Sequence, residues 1–424
     1  MSGAGPSTER GRTPLLRTPV VAWALCDWAN SAFATTVMAG FFPTFFKQFW
    51  SAGSDVTVST FRLGLANGAA SFLVAIMAPL VGAIADKGGT RVRLLALFSI
   101  LGAAMTSALY LVGRGEWLMA VALYVIASIG FSVGNQFYDS LIVDVSREEE
   151  FDLVSGYGYA LGYLGGGILF ALNVYMVREP ARFGLADAAA AVHVSFISVG
   201  VWWLVFTIPA LLFIREAQPS QTTHGLKAAL AGWRELAATL AAIRKYRDLT
   251  LFLLAYWFYI DGVNTIIKMA VDYGLSLGLQ TTSLLTALLV TQFVAFPAAL
   301  AFGWFGGRFG ARTGILIAIA VYILATFGAY RIDSERDFLV LAIVIGCVQG
   351  GIQSLSRSLY GRLVPEGKAG EFFGFYNMMG KFAAVLGPTL TGVVAYTTHD
   401  PRLAIMSVSL LFAIGGVLLL RVPR

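Results

Sequence analysis

Charge is scarce in this chain. Only 13% of its 424 residues are Asp, Glu, Lys or Arg, whereas 57% are hydrophobic. A soluble domain of this length needs far more polar surface, so an aqueous globular fold is excluded. Cysteine is nearly absent. Cys26 and Cys347 each fall inside an apolar run, which leaves no disulfide framework and no metal-ligand spacing. His193, His224 and His399 lie near the ends of runs and form no ligand cluster. No Gly-x4-Gly-Lys-Ser/Thr loop offers a nucleotide site. No Ser/His pairing or other nucleophile constellation suggests an intramembrane enzyme. The reading is therefore no enzyme, no cofactor, no metal and no nucleic-acid partner.

What the chain has in abundance is apolar runs long enough to cross a bilayer, about 20 residues each. Twelve are expected, over 19–46, 61–85, 94–112, 117–143, 154–177, 192–214, 249–275, 283–305, 315–330, 338–359, 372–396 and 403–420. The first carries Asp27 and Asn30 and lacks a small-residue cleavage site, so it reads as a retained helix rather than a signal peptide. The 30 Lys and Arg residues concentrate in alternate connecting segments. By the positive-inside rule this puts both termini in the cytoplasm. The expected class is an all-α membrane protein organised as a cytoplasmic tail (1–18), a six-helix bundle (19–214), a basic linker (215–247) and a second six-helix bundle (248–424). Within the linker, Leu226, Leu230, Trp233, Ala237, Leu240 and Ile243 recur at helical spacing among Arg234, Arg244, Lys245 and Arg247, the pattern of a helix lying on the membrane surface. A simple tether and a regulatory element both remain open for it.

The chain repeats itself. Trp23-x3-Asp27-x2-Asn30-Ser31 in the first run is matched by Trp257-x3-Asp261-x2-Asn264-Thr265 in the seventh. The loop Gly82-x3-Asp86-Lys87-x-Gly89-x-Arg91 after the second run is matched after the eighth by Gly303-x3-Gly307-Arg308-x-Gly310-x-Arg312, where Gly307 replaces the acid. Two parallel halves of six helices follow, related by an axis along the membrane normal.

The Gly-x3-Asp-Lys-x-Gly-x-Arg loop resembles the signature loop of the major facilitator superfamily. That resemblance implies a fold of two pseudo-symmetric six-helix bundles and a cytoplasmic gate formed by Gly82, Asp86, Lys87, Gly89 and Arg91, with Arg308, Gly310 and Arg312 in the second copy. Loss of the acid at Gly307 puts the second copy's part in question, because basic residues there serve equally as topology anchors. The first run, Trp23-Ala-Leu-Cys26-Asp27-Trp28-Ala29-Asn30-Ser31-Ala32-Phe33, looks like the opening signature of one branch. That branch holds the vacuolar amino-acid effluxers linked to autophagy and their bacterial relatives. Asn135-Gln136-Phe137-Tyr138-Asp139-Ser140 and the glycine-rich run from Ser155 to Gly166 add to the likeness. Cys26 and Asp139 depart from it, where an aromatic and an amide are expected. The branch implies amino-acid export from a bacterial inner membrane, by a monomer handling a small-molecule substrate and protons.

Polar groups at membrane depth are costly, at least about 2.5 kcal/mol for a charge, and persist where they face a cavity, a partner or a proton path. Asp27, Asn30 and Ser31 share one face of the first helix, as do Asp261, Asn264, Thr265, Lys268 and Asp272 in the seventh. Lys268 is placed to pair with Asp261 or Asp272. Asn135 and Asp139 sit four apart in the fourth, Gln349, Gln353 and Arg357 at successive four-residue steps in the tenth, and Asn377 and Lys381 four apart in the eleventh. The superfamily resemblance implies that the first, fourth, seventh and tenth helices line the central cavity. Asp27, Asp261 and Asp139 are thus candidate proton carriers. The polar residues, together with Trp23 and Trp257, are candidate cavity groups. Against this stand structural roles: an Arg357–Asp139 bridge, amides as helix glue, tryptophans as packing. Acids and bases together suit an amino acid or short peptide moved by proton-coupled export. An exporter of amphipathic drug-like or lipid-like compounds and a non-transporting sensor or scaffold are the alternatives.

Overall fold

The computed structural model describes residues 14–53, 56–217, 230, 234, 237–239, 245–383 and 386–422. Most of the amphipathic linker pattern, including Leu226, Trp233, Leu240 and Ile243, lies outside them, as do the side chains of Asp272 and Lys381. The described chain is helical from end to end: α1 (Thr18–Ala32), α2 (Val56–Gly88), α3 (Arg91–Ala108), α4 (Trp117–Ser140), α5 (Phe151–Arg178), α6 (Ala188–Phe213), α7 (Arg247–Ser276), α8 (Thr281–Phe309), α9 (Ala311–Ala329), α10 (Glu335–Leu363), α11 (Ala369–Phe382), α12 (Leu386–Thr398), α13 (Pro401–Ser407) and α14 (Ser409–Leu419). The protein is a multi-pass membrane protein.

Nine of these helices, α2 to α10, and α13 with α14 taken together are long and apolar enough to cross a bilayer. Of the other two expected crossings, the first departs from regular α winding and the eleventh is described in two pieces, on either side of residues 384–385. After Ala32 the first adopts wider π winding over Phe33–Phe41 and again over Phe46–Trp50, a geometry that collects at functional sites. The eleventh is built from α11 and α12. Pro388 has no N–H to give a helix ladder, and the Gly387 N–H donates to Asp261 Oδ2 at 3.0 Å.

Within the first six crossings α1 packs on α5 and α6, α3 on α4 and α6, and α2 on α4. In the second six, α10 packs on α8 and α9, and α14 on α7 and α9. The two sets meet along α5–α8, α5–α10, α2–α11 and α4–α11. Glycine makes these seams possible. A Cβ on Gly82 would stand 2.1 Å from the Gly370 carbonyl oxygen, and one on Gly156 would stand 2.9 Å from Gly303 Cα. Backbones approach to a distance only glycine allows.

Candidate functional site

The seams close one end of the bundle, the end that carries Arg17 and Val422. On the α2–α11 side, Asp86 reaches from the first half to the start of α11. Its carboxylate accepts the N–H groups of Gly370 and Glu371, each at 2.9 Å, where the helix presents unsatisfied donors and positive partial charge. Gln136 Nε2 donates to the carbonyls of Ala78 at 2.8 Å and Gly370 at 2.9 Å. Arg91 braces this corner. It pairs with Asp144 at 3.0 Å, Glu216 at 3.5 Å and Asp86 at 3.8 Å, tying α3 to the end of α4 and to the first linker residues. Gly89 turns the chain between α2 and α3 at φ 57, and Lys87 ends α2 beside Asp86.

A second lock, absent from the sequence-based expectation, lies on the α5–α10 side. Arg362 grips Asp152 with two N–H groups at 2.9 and 2.8 Å and the Glu148 carbonyl at 3.1 Å. Ser358 also donates to Asp152, and Ser155 Oγ donates to the Ser354 carbonyl at 2.7 Å. Arg362 carries no signal of this role in the sequence, because its partner is 210 residues away and no local spacing reveals it.

The expected role of the second signature loop is corrected. Arg308 is exposed, with its guanidinium beside the rings of Trp304 and Phe309. Arg312 donates to the carbonyls of Leu420 at 2.5 Å and Val422 at 2.6 Å. Gly310 turns the chain at φ 88. Without an acid at Gly307 the basic residues of this copy make their described contacts within their own half, while its start, Gly303, packs across the seam on Gly156.

Above the locks, between the halves, lies a cavity of about 380 Å³. Its lining runs along α10 from Phe338 near the opposite end down to Arg357, and along the first crossing from Gly40 to Asp27. Its polar lining groups include Asp27, Asn30, Ser31, Thr35, Asn135, Asp139, Tyr163, Gln349 and Gln353. Its apolar lining groups include Ile266, Ile267, Leu288, Leu341 and Ile345, the last two following the α10 face that carries Gln349 and Gln353 nearer the floor. Hydrogen bonds span the halves here. The Tyr163 hydroxyl donates to Gln353 at 2.6 Å and accepts from Gln349 at 3.2 Å, and Gln292 donates to Thr35 Oγ1 at 2.9 Å. Asn30 Nδ2 donates to Asn135 Oδ1 at 2.5 Å.

Arg357 forms the floor. It is 1% exposed. Its Nη1 meets Asp139 Oδ1 at 2.9 Å and Asp27 Oδ2 at 3.6 Å. Its Nε donates to Ser155 Oγ at 2.9 Å, and Nη2 to the Ser155 carbonyl at 3.0 Å. The rings of Tyr159, Trp23 and Tyr138 stand 4.2, 4.7 and 5.1 Å from its guanidinium carbon. Tyr138 stacks on Trp23 and donates its hydroxyl to Asp27 Oδ2 at 3.0 Å. Gly158 leaves room for this box, since a Cβ there would stand 3.0 Å from Nη2. A buried guanidinium needs such company to offset lost hydration.

Eight of the sequence candidates therefore meet at the cavity: Asp27, Asn30, Ser31, Asn135, Asp139, Gln349, Gln353 and Arg357. Trp23 supports the floor from behind, with its N–H on the Tyr138 carbonyl at 2.7 Å. The α7 stripe does not join them. Ile266, Ile267, Ala270 and Tyr273 take the cavity face of α7, so helical rotation turns the polar stripe elsewhere. Asp261 and Thr265 are fully buried on Gly387. Lys268 is exposed, and Asp261 spends its oxygens on Gly387 and Thr265 rather than on the expected lysine. Asn264 and Asn377 are partly buried off the lining, and Trp257 packs beside Phe258 in the core. Tyr138, Tyr159, Tyr163 and Gln292 are cavity residues that the polar pattern missed. Tyr138, Tyr159 and Tyr163 lie within the runs that carry the branch likeness, where nothing in their spacing marks them as cavity groups.

A family model described as "Vacuole effluxer Atg22 like" matches residues 51–424. An uncharacterized MFS-type transporter, YxiO, of Bacillus subtilis is 39% identical over 404 residues, covering 95% of this chain and 94% of that one. Autophagy-related protein 22 of Yarrowia lipolytica is 27% identical over 303 residues; this chain spans 50% of its length. Among solved structures, the proton:xylose symporter XylE superposes with a TM-score of 0.70 at 13% identity, covering 96% of this chain and 94% of XylE. The human organic anion transporter MFSD10 gives 0.70 at 15%, covering 95% and 99%. Two helix bundles meeting at glycine seams, an acid-capped gate and a central cavity agree with these likenesses, and the chain belongs to the Atg22-like effluxer family of major facilitator superfamily transporters.

Proposed function

We propose that the chain is a proton-coupled exporter of a small zwitterionic solute, an amino acid or short peptide, working by alternating access between halves 19–214 and 248–424. The observation that carries this is the cluster of two carboxylates and one guanidinium at the cavity floor, contributed by both halves. A proton on Asp27 or Asp139 changes the charge of a group that ties α10 to α1 and α4, so loading the cavity alters the contact that holds the halves together. Emptying the cavity to the other side requires opening both locks, Asp86 on α11 and Arg362 on Asp152, while the opposite end closes. The polar groups near the floor suit a charged head group and the apolar lining a side chain. The same apolar lining supports a second reading, export of amphipathic drug-like compounds. The likeness to a Bacillus transporter and the charge bias of the connecting segments favour a bacterial plasma membrane, with both termini cytoplasmic and the protein acting as a monomer.

The test is flux in proteoliposomes under an imposed pH gradient, with amino acids and amphipathic dyes as alternative cargo. Asp27→Asn or Asp139→Asn is expected to uncouple amino-acid flux from the gradient. Undiminished pH-driven flux in both variants refutes the proton role, and dye flux without amino-acid flux favours the second reading.

A further inference from the structure

The floor cluster suggests at first that Arg357 receives a substrate carboxylate. Its donors argue otherwise. Nε is held by Ser155 Oγ, Nη1 by Asp139 with Asp27 close by, and Nη2 by the Ser155 carbonyl. Tyr159, Trp23 and Tyr138 crowd the guanidinium. A carboxylate ligand prefers the two parallel N–H groups of an arginine fork, and reaching them here means displacing Asp139 or Ser155. Arg357 is a fixed counter-ion, not an open anion site.

What is left at the floor is negative. With all three groups ionised, two carboxylates and one guanidinium sum to one negative charge. Asp139 holds the shorter contact to Arg357, 2.9 Å against 3.6 Å for Asp27. Asp27 otherwise accepts only neutral hydroxyl donors in the described bonds, Tyr138 at 3.0 Å and Ser31 at 3.2 Å. Beside it in the lining stand Asn30 and Asn135. We propose that Asp27 is the receptor for the ammonium group of the substrate, and that this ammonium and a proton occupy the same carboxylate in turn. The arrangement dictates exchange: a proton arriving at Asp27 releases the amine, and an amine arriving releases the proton. This rests on the transporter reading above and specifies its head group and its coupling. The titratable and charged groups facing Asp27 are Asp139 and Tyr138 from α4, Tyr159 and Tyr163 from α5 and Arg357 from α10, with Cys26 next to it in α1.

The experiment uses the full chain in lipid nanodiscs at about pH 6 and about pH 8. Thermal stabilisation is measured with the proteinogenic amino acids, their carboxamides, which keep the amine and lose the carboxylate, and their N-acetyl derivatives, which do the reverse. Amino acids and carboxamides are expected to stabilise the protein while N-acetyl acids do not. In the competing range affinity falls about tenfold per unit drop in pH, and binding in weak buffer releases about one proton per amine. Asp27→Asn loses both effects, Asp27→Glu keeps them, and Tyr138→Phe moves the pH profile while binding persists. If Asp27→Asn does not fold, proton release in the parent chain and in Asp27→Glu decides the matter. Stabilisation by N-acetyl acids but not carboxamides, or amine binding without proton release, overturns the inference and leaves a zwitterion transporter standing. No stabilisation by any of the three series removes the proposed function as well.

Discussion

Replacing Gly82 with alanine tests whether the α2–α11 seam sets the balance between the two ends of the cavity. The added methyl would stand 2.1 Å from the Gly370 oxygen and 2.5 Å from Gln136 Nε2. Both neighbours are fixed: Gly370 by its N–H on Asp86, and Gln136 by two carbonyls. Relief requires α11 to move off α2. Overpacking of this kind costs about 1–3 kcal/mol, and a loosened Gln136 bond adds about 1 kcal/mol. The state closed at this end should therefore lose about 3 kcal/mol relative to the state open there, about a hundredfold in their ratio. Spin labels on cysteines at Arg93 and Glu366, both exposed at this end, report the separation of the halves by pulsed electron resonance once Cys26 and Cys347 have been replaced by serine. A second, longer distance should dominate in Gly82→Ala. The internal control is Gly307→Ala, in the second copy of the loop at the position of Asp86, where a Cβ meets nothing within 4 Å; its distances should match the parent. An unchanged distribution in a folded Gly82→Ala protein refutes the seam as the determinant.

Other consequences follow from the same contacts. Arg357→Gln strands Asp139 and Asp27 without a buried counter-ion and should cost about 3–5 kcal/mol, seen as a lower unfolding temperature that Asp139→Asn partly restores in the double variant. Asp261→Asn keeps an oxygen for the Gly387 N–H and should unfold close to the parent, whereas Asp261→Ala loses the cap for about 1 kcal/mol; equal destabilisation by both would make charge, not capping, the function of this residue. Arg362→Gln should open the same end as Gly82→Ala in the spin-label assay, while Arg308→Ala should not. Equal distances in Arg362→Gln and the parent would remove Asp152–Arg362 from the gate.

Much was legible beforehand because it is local. Apolar runs announce crossings by length alone. The spacing of Asp27, Asn30 and Ser31 fixes a shared face whatever packs on it, and the loop from Gly82 to Arg91 announces a turn with an acid beside a helix end. The branch signature pointed to the family that the matched relatives bear out. The α7 stripe shows the limit. Its repeat with α1 is plain in sequence, yet Asp27 and Asp261 came to lie in different surroundings. Asp27 meets Gly162 of the continuous α5, whose ladder leaves no donor to spare, and turns to Tyr138 and Arg357. Asp261 meets Gly387 at the start of α12 and is consumed as its cap.

The sequence by itself determined that the chain spans a membrane, that it is duplicated, and which helix faces are polar, since these depend on composition and on a fixed helical period. Only the tertiary structure decided which polar faces meet. The pairing of Arg357 with Asp139, of Arg362 with Asp152, and of Asp86 with the start of α11 joins residues more than 200 positions apart. No local rule encodes them, because they exist only once glycine seams let the two halves close on each other.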